Sequence, residues 1–152
     1  MRARLVVLAV LTLFAGGSAA AQGMPRSTDG TDPRTWDPAL DAVKSGARNH
    51  VVIYEDKEIR VLSVTVEPGE VEAVHHHQWP SVIVFVNYPP AEDRDARGKV
   101  QRVGNRGDAG QEQPVVARIP PEAAHSVTNT GTTPLRLIRV EYKNGFPTGP
   151  AK

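Results

Sequence analysis

Three of the chain's five histidines are consecutive, His75, His76 and His77, in the stretch AVHHHQWPSVIVF from Ala73 to Phe85. Imidazole is a common transition-metal ligand, so the first question is which of these rings can share one ion. The residues around them read as strand, and side chains on a strand alternate faces. His75 and His77 then point together, about 7 Å apart at Cα. His76 points the opposite way, toward the exterior or a subunit partner. Two rings do not close a site. His125 opens the later run HSVTN, after Pro120-Pro121, and is the candidate third ligand. His50 begins another β-prone run and ranks fourth.

The elements that must position these rings are short and mostly β. Val51 to Tyr54 is strand-prone, and Leu62, Val64 and Val66 share one face of the next run before the turn at Pro68-Gly69. Val71 to His77 and Ser81 to Tyr88 follow, the latter ending at Pro89-Pro90. The charged region after it offers one strand, Lys99 to Val103, as half of a hairpin turning near Arg97-Gly98. Val115 to Ile119, His125 to Asn129 and Leu135 to Tyr142 complete about eight short strands, the pattern of an all-β sandwich or barrel. One short N-terminal helix is expected from about Pro38 to Ser45, with Asp37 as N-cap, Pro38 in the first turn and Gly46 as its stop.

Arg2 and Arg4, an apolar run from Leu5 to Ala15 and Ala19-Ala20-Ala21 are the parts of a secretory signal peptide, cleaved after Ala21. The run is too short for a permanent span, which needs roughly 20 apolar residues. The expected organisation is signal peptide 1–21, flexible lead 22–36, one β-barrel domain 37–143 and a disordered tail 144–152. Removing 21 of 152 residues leaves 131, enough for one ordinary domain, exported to the periplasm or secreted. The chain has no cysteine, so disulfides cannot stabilise it. Losing Arg2 and Arg4 takes the formal charge from +1 to −1, which gives no reason to expect nucleic acid or an anionic membrane as partner.

The spacing also carries a resemblance. Gly69, five residues, His75, one residue and His77 match the first cupin motif, G(X)5HXH. PPEAAHSVTN aligns with the second, P-x-G-x-x-H-x-x-x-N, through Pro120, His125 and Asn129, with Glu122 where the family has glycine. From about Val51 to Tyr142 the sequence resembles a small single-domain bacterial cupin. The resemblance implies a double-stranded β-helix, open at one end, with a metal inside near the mouth and barrels paired as a homodimer. It maps His75, His77 and His125 onto the family's three histidines. The motif glutamate does not carry over, because Ser81 or Val82 stands in its place. Glu72 and Glu122 are near in sequence, but neither occupies that position.

Three neutral imidazoles leave the full charge on a divalent ion, which then favours an anionic oxygen ligand. The cofactor expected is a divalent transition metal, Fe, Ni, Zn, Cu or Mn, among which spacing does not choose. Trp79, Ser81, Tyr88 and Glu122 are secondary candidates for touching a substrate. Each has an ordinary reading too: Trp79-Pro80 as packing and turn, Tyr88 as core, Glu122 as a solvated turn residue. No G-x-S-x-G element and no phosphate-binding glycine loop is present. Two functions remain. One is a metal-dependent enzyme, an oxygenase on a small oxygen-rich molecule, since some cupin-like dioxygenases use three histidines. The other is a non-catalytic module that binds a small ligand or metal.

Overall fold

The computed structural model describes residues 29–104 and 115–147; the expected signal peptide, most of the expected lead and the last five residues of the expected tail lie outside them. Nine strands are arranged: β1 (His50–Glu55), β2 (Ile59–Val66), β3 (His75–His77), β4 (Ser81–Asn87), β5 (Ala91–Asp95), β6 (Val100–Gly104), β7 (Val115–Ile119), β8 (Glu122–Asn129) and β9 (Leu135–Tyr142). They form a five-stranded sheet, β1-β2-β9-β4-β7, and a four-stranded sheet, β3-β8-β5-β6, with antiparallel pairing throughout. The fold is all-β, two sheets closed over one interior.

Strand alternation puts the expected side chains inside. Leu62, Val64 and Val66 on β2, and Ile83 and Phe85 on β4, are buried. Val66, Ile83, Phe85, Tyr88, Ala91, Ile119 and Leu135 form the hydrophobic cluster that holds the sheets together. Burying a large apolar side chain contributes about 1.5–3 kcal/mol, so this cluster supplies much of the stability a cysteine-free chain needs.

Four expectations are corrected. The helix over Pro38–Ser45 is only a three-residue 3₁₀ turn, Pro38–Leu40, although Asp37 caps it as anticipated by accepting from the Ala39 amide. The chain leaves helical geometry at Asp41, whose carboxylate takes the Val43 amide, while the Ala42 amide donates to the His76 carbonyl. A tertiary hydrogen bond outcompetes the local one. The strand over Val71–His77 shrinks to β3, preceded by a single bridge from Val71 to Thr128. Strand β5, AEDRD, has no apolar pattern and forms because β6 and β8 pair with it on both sides. Finally, β8 begins at Glu122, three residues before His125.

Part of the lead is also structured. Pro33–Thr35 forms a 3₁₀ turn capped by Asp32, and Gln78 donates to the Pro33 carbonyl. Among the described residues no helix is long and apolar enough to cross a membrane.

Candidate metal centre

The short strand β3 delivers two of the rings and β8 the third. His75 and His125 are register partners, and His77 lies opposite Glu122. Ring centroids are 4.6 Å apart for His75 and His125, 5.1 Å for His75 and His77, and 5.7 Å for His77 and His125. A fourth ring joins them. His50, at the start of β1, is 4.4 Å from His75 and 5.2 Å from His77. All four are buried.

What each ring does with its other nitrogen decides its chemistry. His75 Nδ1 lies 2.8 Å from the Ala73 carbonyl and His125 Nδ1 2.8 Å from the Ala123 carbonyl. His50 Nδ1 lies 3.1 Å from the Gly46 carbonyl, and His77 Nδ1 2.7 Å from Glu141 Oε1. An oxygen acceptor at Nδ1 places the proton there, so Nε2 keeps its lone pair, the tautomer that binds a metal. Gly46 makes one of these contacts possible. A Cβ there would meet the Ala42 carbonyl at 2.8 Å and His50 Nδ1 at 3.0 Å, so its role is close approach rather than ending a helix.

Burial keeps His50, His75 and His77 neutral. Desolvation, with smaller repulsion from neighbouring histidines and Arg139, holds His75 and His77 well below the usual imidazole range. Desolvation likewise brings His50 down to about 4. Neutral imidazole is the ligand form.

A carboxylate from another strand lies at the cluster. Ser81, where the glutamate would stand, is fully buried, and its hydroxyl accepts from Arg139 Nε at 2.9 Å. Arg139 Nη1 in turn donates to Glu122 Oε2 at 2.6 Å. Glu122 is thus no solvated turn residue. Burial would raise its pKa, but Arg139 and other cationic neighbours hold it below the usual carboxylate range. Two groups of donor atoms could each hold a metal, one from His50, His75 and His77, the other from His77, Glu122 and His125, with the atoms in each group within 4.8 Å of one another. The donor set, neutral imidazoles with one carboxylate, fits a divalent transition metal.

No family model matches the chain, and no curated protein matches it. Solved structures do. A cupin domain from Bordetella pertussis Tohama I is 22% identical, with 62% of this chain and 91% of that one covered at a TM-score of 0.50. The chain has the cupin fold. A cupin-like protein from Thermotoga maritima is 20% identical over 68% of this chain and 72% of its own, at a TM-score of 0.44.

Behind the rings of this cupin barrel lies a charge network that the sequence reading missed. Glu141, fully buried, bridges His77 and Arg60 Nε, the latter at 2.5 Å, and Arg60 reaches Asp41 at 3.0 Å. A carboxylate on the far nitrogen of a histidine fixes its orientation and raises its basicity. The signal was present on β9: Arg139 and Glu141 share the inward face with Leu135 and Leu137, while Ile138 and Val140 face out. Charged residues alternating with apolar ones at the end of a core strand mark a polar interior.

The cavity beside the rings has a volume of about 70 Å³, room for several waters or a small ligand. Its polar lining includes four buried atoms without a hydrogen-bond partner: Glu72 Oε1, Asp93 Oδ1, Arg102 Nε and Arg139 Nη2. Desolvation pushes Glu72 up to about 8 and also raises Asp93. The opposite wall is apolar, with Val66, Phe85, Leu135 and Leu137.

The secondary candidates divide. Glu122 and Tyr88 line the cavity, although Tyr88 also stacks on Phe85 with centroids 4.4 Å apart and belongs to the core. Ser81 reaches the site only through Arg139. Trp79 is outside the cavity lining, under the Arg60 guanidinium at 4.7 Å. His76 faces away from the rings, as alternation requires, but its own chain covers it: Nε2 is 2.8 Å from the Asp37 carbonyl and Trp36 lies 5.3 Å away.

Proposed function

We propose that this protein is an exported, metal-dependent enzyme that binds a divalent transition metal on histidine Nε2 atoms and acts on a small oxygen-rich anion. The observation that carries the reading is a contact shared by four buried rings, each with Nδ1 against an oxygen acceptor, which makes Nε2 the lone-pair nitrogen. In this reading His75, His77 and His125 are the principal ligands, and His77 is shared by the two groups of donor atoms that converge, one of His50, His75 and His77, the other of His77, Glu122 and His125. When bound, the ion would supply Lewis acidity and, if it can change oxidation state, a means to activate dioxygen.

The chain's own residues account for the substrate class. Arg139 and Arg102 add positive charge beside the rings, and each keeps a buried N–H group without a partner. Glu72, pushed up to about 8 by burial, holds a proton at neutral pH and presents a donor rather than repelling an anion; burial also raises Asp93. The apolar wall excludes water from the other side.

Elemental analysis of untagged protein tests the reading. Near-stoichiometric iron, nickel, zinc, copper or manganese in the wild type should disappear in His75→Ala, His77→Ala and His125→Ala and persist in His76→Ala. Absence of metal from the wild type, or dependence on His76 alone, overturns it. Oxygen uptake with diketones, catechols and thiols then separates an oxygenase from a binding module, which would take up metal and ligand without turnover. A mature N-terminus at Gln22 in a periplasmic fraction tests export.

A further inference from the structure

Next to the histidines, the inner face of the four-stranded sheet carries a second polar row that its own partners leave incomplete. His75 and His125 are register partners. Two residues further along β8, a step of about 7 Å, Val127 pairs with Asp93 on β5, which pairs in turn with Arg102 on β6. The Glu72 amide donates to the Val127 carbonyl, so Glu72, Asp93 and Arg102 belong to one row. All three line the cavity, and Glu72 and Asp93 are only 5% and 7% exposed. Among the described residues, Glu72 Oε1, Asp93 Oδ1 and Arg102 Nε have no hydrogen-bond partner, and neither has Arg139 Nη2 beside the rings. Buried polar atoms left unpaired are costly, so four of them around one cavity mark a place that a ligand completes.

The two ends of that cavity ask for different groups. Beside the rings the open group is a donor, Arg139 Nη2, which suits a carboxylate. In the row a donor, Arg102 Nε, stands with two carboxyl oxygens, Asp93 Oδ1 and Glu72 Oε1. A second carboxylate there could only accept and would meet those oxygens, while an alkyl group would pair with none of them. A hydroxyl accepts from the guanidinium and donates to a carboxyl oxygen, and it can reverse its role if that oxygen carries the proton. The cavity of about 70 Å³ has room for about five to seven water-sized groups, a three-carbon skeleton with its oxygens. We propose that the ligand of this cavity is a three-carbon hydroxy acid of the glycerate type, its carboxylate toward the rings and Arg139 and its terminal hydroxyl between Arg102 and Asp93. The carbon skeleton lies against the apolar wall of Val66, Phe85, Leu135 and Leu137. The carboxylate end rests on the metal-and-anion reading above; the hydroxyl end rests on the row alone.

Calorimetric titration of zinc-loaded and metal-free protein with glycerate (both enantiomers), lactate and malonate tests it. Lactate keeps the 2-hydroxyl that can chelate an ion and lacks only the 3-hydroxyl. The tighter enantiomer of glycerate should bind at least about tenfold better than lactate, because losing that hydroxyl leaves the row unpaired again. Malonate should bind no better than lactate. Asp93→Ala and Arg102→Leu, checked for folding by circular dichroism, should each bring the ratio of glycerate to lactate affinity toward one. Metal-free protein should keep the same preference at lower affinity. A chain that takes up no zinc therefore sinks the metal reading, while this ratio still decides the row. Equal binding of glycerate and lactate, a ratio that neither variant moves, tighter binding of malonate, or no binding of any acid in either form overturns the proposal. If both variants fail to fold, the wild-type series decides it.

Discussion

The same three strands build both ends of the barrel interior, and the ends have opposite chemistry. At one end β2 contributes Val64 and Val66, β4 Ile83 and Phe85, and β9 Leu135 and Leu137. At the other, β2 contributes Arg60, β4 Ser81, and β9 Arg139 and Glu141, packed behind His77 and Glu122. Apolar packing favours folding without help. The polar end gathers buried charges whose desolvation is repaid only when every partner is in place, so its ion pairs are weak evidence of stability. The division suggests one end for folding and one for function.

Phe85→Ala should have the largest effect, a loss of about 3–5 kcal/mol in urea unfolding, because it opens a hole in the apolar cluster. Metal content per folded molecule should not change. If Phe85→Ala instead empties the metal site in protein that remains folded, the two ends are not separable.

Glu72→Gln should come next, by changing how stability depends on pH. The folded pKa of Glu72, about 8, lies above the ordinary glutamate value of 4.5. Its contribution is fully present below pH 4.5 and is lost as pH rises toward 8, because only the unfolded chain ionises freely there. In metal-free protein the variant should therefore be more stable than wild type at pH 8 by a few kcal/mol, with the gap closing toward pH 4.5. Identical pH profiles would mean that Glu72 is not held protonated.

Glu141→Gln tests the support of the polar end. Losing the carboxylate behind His77 should weaken metal binding by about 10–100-fold in a competition against a chelator, with the other ligands intact. An unchanged affinity would make Glu141 a partner of Arg60 only. The smallest effect is expected from Trp79→Leu, which removes the ring beneath Arg60 outside the cavity. It should cost about 1 kcal/mol and leave metal content as it was; loss of metal would place Trp79 in the site.

Much of this arrangement is legible along the chain because it is local. Strand alternation selects His75 and His77 over His76, Leu62, Val64 and Val66 read as one inward face, and Gly69 takes the positive φ of 75° that the Pro68-Gly69 turn anticipates. What is not legible depends on partners far away in sequence. Strand β5 looks like a charged loop because its pairing with β6 and β8, not its composition, makes it a strand. Glu122 looks like a turn residue until Arg139, 17 positions later, draws its carboxylate inside.

The sequence by itself determined the all-β fold class and put His75 and His77 on one face, since both follow from a two-residue period, and its motif spacing nominated His125. Only the tertiary structure decided the rest: His50 as a fourth ring, Glu122 as the carboxylate at the cluster, and Glu141 behind His77. Those placements depend on which strands become neighbours, and β2 meets β9 with partners 69 to 83 positions apart in the chain, from Val66↔Leu135 to Ile59↔Tyr142.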